Sequence, residues 1–362
     1  MAIITIDLHT HLNEKEVLAA DYWKRVQEIK LNAVAITEHS YCDPKNAFEK
    51  LNSTKPENVL LIPGMELVTS VGHALVFAEN ESLYEEIELL EKGVDIERVF
   101  EIVKEKNFFL SFPHPYGYEH DSIAFLIGTN KTRKIIKKNG CGIEIYNGMI
   151  SHLSNFLYDS NWITKPFNFL SFLEKNIVSR KIGLARVGGK IKDSFDSKRQ
   201  DIVMRCIKAI ELGNEAEFIT TGSDAHYAER IGTGIMKIKI EKEITIKNIF
   251  NALRKKENIV WSGPLIKETT KGIFEKIEDP LKGKEIAEGL KYVTTNAIKK
   301  GSRIPKNKIN GKIKNLKESR VTKKIRNIKI KEKLRDNPIS KRIKNARISE
   351  RIRERINKEG NK

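Results

Sequence analysis

The sequence predicts an α/β fold of parallel strands covered by helices, closed into a barrel rather than left as an open sheet. Three observations carry that expectation. Short apolar runs alternate with helical patterns along most of the chain, which is the signature of β/α units. Side chains that favour divalent metal gather where the apolar runs end, the place where barrels of this kind put their chemistry. At 362 residues the chain is also long enough to bury a large core.

The elements follow in order. Ile3–Asp7 is an apolar strand, followed by a helix around Lys15–Lys30 with Val17, Leu18, Tyr22, Val26 and Ile29 near one face. Ala33–Thr37 reads as a strand, Lys45–Leu51 as a helix and Val59–Ile62 as a strand. His73–Ala78 is a further strand, and Ser82–Lys92 and Asp95–Lys106 have helical patterns. Phe108–Phe112, Gly142–Tyr146 and Phe218–Thr221 complete the main strand set. Residues 160–200 interrupt the rhythm as an insertion, in which Ile182–Val187 could form one more strand. Gly234–Ile240 and Ile244–Trp261 are expected to be the strand and helix that close a domain ending near Gly263-Pro264 (residues 1–263). Residues 264–298 read as a helical linker and 299–362 as a basic tail.

The charge is unevenly placed. Residues 299–362 hold 25 Lys/Arg against 6 Asp/Glu, and the remainder 41 against 42, so the +18 net charge belongs to the tail. That tail has no aromatic residue, and its isoleucines recur near helical spacing, broken by Gly311 and Asn337-Pro338. It is expected to be helical or partly disordered, and to bind RNA or DNA phosphates by counterion release without base stacking. Cys42, Cys141 and Cys206 lie far apart, which excludes a cysteine-based zinc finger and any disulfide framework. With no apolar leader and no run of about 20 apolar residues for a membrane span, the expectation is a cytoplasmic protein without a membrane partner.

The chemistry is concentrated in two end motifs. Asp7-Leu8-His9-Thr10-His11 closes the first strand, and Ser223-Asp224-Ala225-His226 follows the strand at Phe218–Thr221. Alternate strand residues share a face, so Asp7, His9 and His11 are expected on one side, as are Asp224 and His226. Between them stand Thr37-Glu38-His39, Pro63-Gly64-Met65-Glu66, Gly72-His73 and Phe112-Pro113-His114-Pro115. A lone histidine is ordinarily a satisfied structural residue. Six at strand ends, beside Glu66 and Asp224, point to a metal centre, since imidazole and carboxylate are the usual ligands of zinc, manganese and iron.

In this order the motifs resemble those of the PHP (polymerase and histidinol phosphatase) superfamily over roughly residues 3–262. The resemblance implies a distorted seven-stranded β/α (TIM-like) barrel and a site of two or three divalent ions, zinc, manganese or iron, that hydrolyses phosphoesters. It places His9, His11, Glu66 and Asp224 on one ion. Glu66 bridges to a second ion held by His73 and His114, and His39 and His226 belong to a third. Glu66 and Asp224 then carry catalysis. The sequence departs from the family where an Asp or His is usual a few residues after the H-x-H pair; Glu14 and Glu16 are the candidates there. It departs again in having Glu38 where the family has Asp.

Arg230, Arg186 and Lys190 are candidates for substrate phosphate, with a solvated insertion loop the simpler account of Arg186 and Lys190. Asn147 is either a pocket residue or a turn former. Glu144 shares a strand face with Tyr146 and has no assigned role. The substrate class is a phosphorylated small molecule, a nucleotide or a nucleic-acid end. The alternative is a non-catalytic RNA-binding subunit on a PHP-like barrel, against which the near-complete ligand set argues. An amidohydrolase-like barrel also uses an H-x-H pair, but no lysine stands where a carbamylated bridge is needed.

Overall fold

The first strand runs past its expected end: β1 spans Ala2–Thr10, so His9 lies on the strand itself. The structure, a computed structural model, describes residues 2–151, 172, 201, 204–262, 266–268 and 274–276. The insertion strand Ile182–Val187, Arg186, Lys190 and the tail 299–362 lie outside the described residues.

After β1 come β2 (Ala33–Ile36), β3 (Leu60–Thr69), β4 (Gly72–Phe77), β5 (Phe109–Phe112), β6 (Gly142–Asn147) and β7 (Ile219–Gly222). These seven stand side by side in chain order, and β8 (Ile235–Ile240) and β9 (Ile259–Ser262) extend the sheet beyond β1. The barrel nearly closes where the loop after β7 meets the end of β1. There Asp224 donates its N–H to His9 O at 2.7 Å, and His11 N–H donates to Ala225 O at 2.9 Å. At this seam Gly222 is obligatory, because a Cβ would lie 2.1 Å from the His9 Cβ.

The sheet is mixed rather than parallel. β1–β2–β3 and β5–β6–β7 are parallel, but β4 is antiparallel to both β3 and β5. The cause is local: only Ser70 and Val71 separate β3 from β4, too few residues for a parallel crossover. β8 is likewise antiparallel to β1 and β9 to β8. The Pro63-Gly64 pair expected at a strand end lies inside β3, where pairing passes from β2 to β4. Proline is tolerated because the parallel ladder ends with it, opposite Ile36.

The helices are α1 (Ala19–Glu28), α2 (Pro44–Asn52), α3 (Ile96–Glu105), α4 (Ile123–Leu126), α5 (Thr129–Asn139) and α6 (Ile246–Leu253). Residues 204–213 are also helical. Asp43 caps α2 through Asn46 N–H with Pro44 at the first position, and Asp95 and Thr245 cap α3 and α6. α3 buries Ile96, Val99, Phe100 and Ile102, each worth about 1.5–3 kcal/mol against water. The core of the barrel includes Ile4, Ile6, Leu8, Ile36, Ile62, Phe77 and Phe112.

Several elements differ from expectation. α1 starts at Ala19, not near Lys15, because the Leu12 and Asn13 amides bind the Glu38 carboxylate and Glu16 takes a positive φ of 51°. Ser82–Lys92 forms two 3-10 turns, Glu81–Glu85 and Ile87–Leu90. The helix expected over Ile244–Trp261 stops at Leu253, and Ile259–Ser262, rich in β-branched and aromatic side chains, is β9. In the segment expected to be a helical linker, the described residues Ile266–Glu268 and Phe274–Lys276 are paired antiparallel strands. Among the described residues no helix is long and apolar enough to cross a membrane.

Candidate metal centre

Glu66 sits at the middle of the site. Its neighbours Met65 and Leu67 are buried on β3, and the backbone on either side is tied to the loop after β2, with Glu66 N–H donating to Glu38 O and Ser40 N–H to Glu66 O. Five histidines converge on its carboxylate. Oε1 lies 2.8 Å from His73 Nδ1 and 3.2 Å from His114 Nε2. Oε2 lies 3.1 Å from His39 Nδ1 and 3.5 Å from both His9 Nε2 and His11 Nε2. Burial alone would raise this carboxyl, but the facing His73, His39 and His9 and a hydrogen bond from His114 hold it well below the usual carboxylate range.

Asp224 closes the other side. Its Oδ1 lies 3.3 Å from His11 Nε2 and 3.5 Å from His9 Nε2, and its φ of 53° turns the chain so that His226 follows into the same cavity. Burial opposes its ionisation, yet His9, His11 and His226 hold its carboxyl well below the usual value. His226 Nε2 is 2.6 Å from Glu14 Oε2, which is also 3.3 Å from His39 Nε2. Among the described residues, three groups therefore have mutually close nitrogen and oxygen atoms: His9, His11 and Glu66; His39, Glu66 and His73; and His11, Glu14, His39 and His226.

The donor set fits divalent cations. His9 Nε2, both ring nitrogens of His11 and His39 Nδ1 are buried, facing carboxylate oxygens at 3.1 to 3.5 Å without hydrogen-bonding geometry. Native interiors rarely leave such groups unsatisfied, since each costs about 1–3 kcal/mol. Borderline ions that take imidazole and carboxylate would satisfy His9 Nε2, His11 Nε2 and His39 Nδ1, with His11 Nδ1 left to face Glu38.

Around this cluster stand two more acids, Glu38 of the Thr37-Glu38-His39 run and Glu144, to which the sequence assigned no role. Glu144 Oε1 lies 3.0 Å from His9 Nδ1, while its Oε2 accepts the His114 N–H at 2.7 Å and the Asn147 amide at 2.9 Å. Asn147 also donates to Asp224 Oδ2 at 3.1 Å, and its Oδ1 accepts the Ile150 N–H, so its pocket and turn roles coexist. Glu38 accepts from the Leu12, Asn13 and His39 amides and faces His11 Nδ1 at 3.5 Å. Burial would raise it, but His11 and the backbone donors bring it down to about 2. These contacts orient the rings and select their tautomers.

Two expectations about shared faces fail. Asp7 does not join His9 and His11: it accepts N–H groups from Ser223 and Gly232 at 2.9 Å each and from His9 at 3.2 Å. The β1–β2 register shifts between Asp7 and Thr10, so a bulge re-aims the side chains. Asp7 is pushed up to about 6 by burial, against those hydrogen bonds. A second shift between Glu144 and Tyr146 sends Glu144 to His9 while Tyr146 packs on Trp261, ring centroids 5.2 Å apart. Glu16 is exposed, apart from the three groups. Arg230 ends a 3-10 turn (Ala228–Arg230), half-buried, four residues beyond His226.

The imidazoles make the ion-free protein pH-sensitive. Burial lowers His114, but the Glu66 hydrogen bond and the charges of Asp121, Glu66 and Asp224 raise it to about 9 from its ordinary 6.5. A raised histidine stabilises fully below about 6.5 and loses that contribution as pH rises through about 9. Thermal unfolding of the chelator-treated protein should therefore weaken from pH 6.5 to 9, by about 3 kcal/mol at most from this group. A midpoint that holds or rises across that window would contradict the ion pair.

Residues 218–258, from the start of β7 through α6, match the PHP-associated family model. No curated protein matches the sequence. Among solved structures, the chain is similar to a two-domain protein containing a predicted PHP-like metal-dependent phosphoesterase from Bacteroides vulgatus ATCC 8482. The identity is 16%, with a TM-score of 0.46, 73% of this chain covered and 66% of that one. It is similar to PsfC from Pseudomonas syringae PB-5123 at 14% identity and TM-score 0.44, covering 84% of this chain and 100% of that one. A third is the lesion-specific endonuclease PfuEndoQ from Pyrococcus furiosus, at 13% identity and TM-score 0.41, covering 73% and 58%. The chain thus spans just under two thirds of the first relative and less of the third.

Proposed function

We propose that this chain is a PHP-type metal-dependent phosphoesterase that hydrolyses a phosphoester of a small metabolite, a nucleotide or a nucleic-acid end. The observation that carries this reading is the convergence of five histidines on the single buried carboxylate of Glu66, with Asp224 and His226 completing the cavity. A structural core has no use for so many unpaired ring nitrogens.

His9, His11, Glu66 and Asp224 would hold one divalent ion. Glu66, His73 and His114 would hold a second, and His39, His226 and Glu14 a third. Glu14 takes the position where the family pattern lapses, because its Oε2 reaches two histidines while Glu16 is exposed. When bound, such ions neutralise the phosphoryl oxygens and lower the pKa of bound water towards about 7. The protein's own part is orientation and charge. Glu66 supplies one negative charge shared between groups, and Glu144 keeps the His9 Nε2 turned inward as a bare acceptor. Asp224, fixed through its Oδ2 by Asn147, would steer or accept a proton. Arg230 is the described candidate for substrate phosphate.

The test is metal analysis of the purified protein, followed by assay on a panel of phosphomonoesters, nucleotides and 5′-phosphorylated oligonucleotides with manganese. Two or more ions per chain and chelator-sensitive hydrolysis are expected. A chain that binds no ion and cleaves nothing would instead fit a scaffold.

A further inference from the structure

We propose that Tyr41 is a stacking platform for a planar base, so that the phosphoester cleaved here belongs to a nucleotide, free or at the end of a chain. The inference rests on the phosphoesterase reading and narrows its substrate. Tyr41 follows the metal-facing Thr37-Glu38-His39 run, and its ring lies parallel to that of His39, with centroids 5.0 Å apart and planes 11° apart. His39 in turn faces Glu66 and Glu14. Yet Tyr41 is 54% exposed, so the ring spans the distance from the ligand shell to solvent.

Its backbone is held rigidly: Ser40 N–H donates to Glu66 O at 2.9 Å, Cys42 N–H to His39 O at 2.8 Å, and α2 starts at Pro44, just beyond. Lys92, exposed, places its ammonium 5.5 Å from the ring centroid. That cation sits on a flexible stem able to yield the ring and meet phosphate. This side of the mouth therefore offers a π-face and a movable positive charge. A polyhydroxyl ester would gain little from the ring, whereas a base one ribose away from a phosphate at the cluster would stack on it.

The test compares kcat/KM for adenosine monophosphate, a short 5′-phosphorylated oligonucleotide and glycerol phosphate in the full-length, metal-loaded chain. Wild type should favour a base-bearing substrate over glycerol phosphate by roughly tenfold or more. Tyr41→Ala should collapse that ratio towards one, and Tyr41→Phe should restore it, since stacking needs the ring and not the hydroxyl. The mononucleotide and oligonucleotide arms distinguish a free nucleotide from a chain end. A wild-type enzyme indifferent to the base, or a Tyr41→Ala enzyme that keeps the preference, overturns the proposal and leaves the phosphoesterase reading intact. If nothing is hydrolysed, that reading fails separately. Equilibrium binding of adenosine monophosphate against inorganic phosphate, in wild type and Tyr41→Ala, then decides the platform: equal affinities would refute it.

Discussion

Glu66→Gln is expected to abolish hydrolysis, by roughly a thousandfold or more, while the barrel still folds. The substitution changes almost no volume, and the flanking Met65 and Leu67 keep their buried places on β3. What disappears is the one negative charge that faces His9, His11, His39, His73 and His114 together. An amide presents donors on one side, where the carboxylate offers acceptors to both groups. Ions sharing that oxygen pair would lose a ligand each. Several kcal/mol of transition-state charge stabilisation, at about 1.4 kcal/mol per factor of ten, gives the stated loss. Metal content should fall in parallel, with circular dichroism unchanged. A Glu66→Gln protein that keeps full activity and full metal content would remove Glu66 from the site.

Glu144→Ala should cause the largest loss of stability among the site substitutions, about 3–5 kcal/mol, because it deletes one partner of a buried charged network. Three donors lose their acceptor at once: the His114 amide, the Asn147 side chain and, in the tautomer that points Nε2 inward, His9 Nδ1–H. None can reach water, since Glu144, His9 and Asn147 are all buried. Glu144→Gln keeps the volume and isolates the second effect, control of the His9 tautomer, and should weaken metal binding by about 10- to 100-fold. Denaturant unfolding of the Ala variant and metal titration of the Gln variant measure the two separately. An Ala variant as stable as wild type would mean that Glu144 is an onlooker.

Glu144 also marks the limit of what was legible in the chain. Its partner His9 is 135 residues away, and the Asp7 contact to Ser223 spans 216. No local periodicity records such pairings. The histidines and acids that converge on Glu66, in contrast, stood out in the sequence because strand ends place these chemically distinctive residues at fixed spacing. His39 and His226 could therefore be picked out, whereas Glu14, one of two acids on a stretch read as a helix start, could not be told from Glu16.

The same division runs through the fold. Alternating apolar runs and helical patterns are local properties, so the order of residues was enough to establish the α/β class and most strand positions. It was enough, too, for the residue types of the site. Direction and register are not local. The inverted β4, the antiparallel β8 and β9, and the bulges that part Asp7 from His9 and Glu144 from Tyr146 follow from which backbone groups find partners across the sheet. Those pairings emerge only in three dimensions, because a hydrogen bond between strands is satisfied by a neighbour in space whatever its distance along the chain.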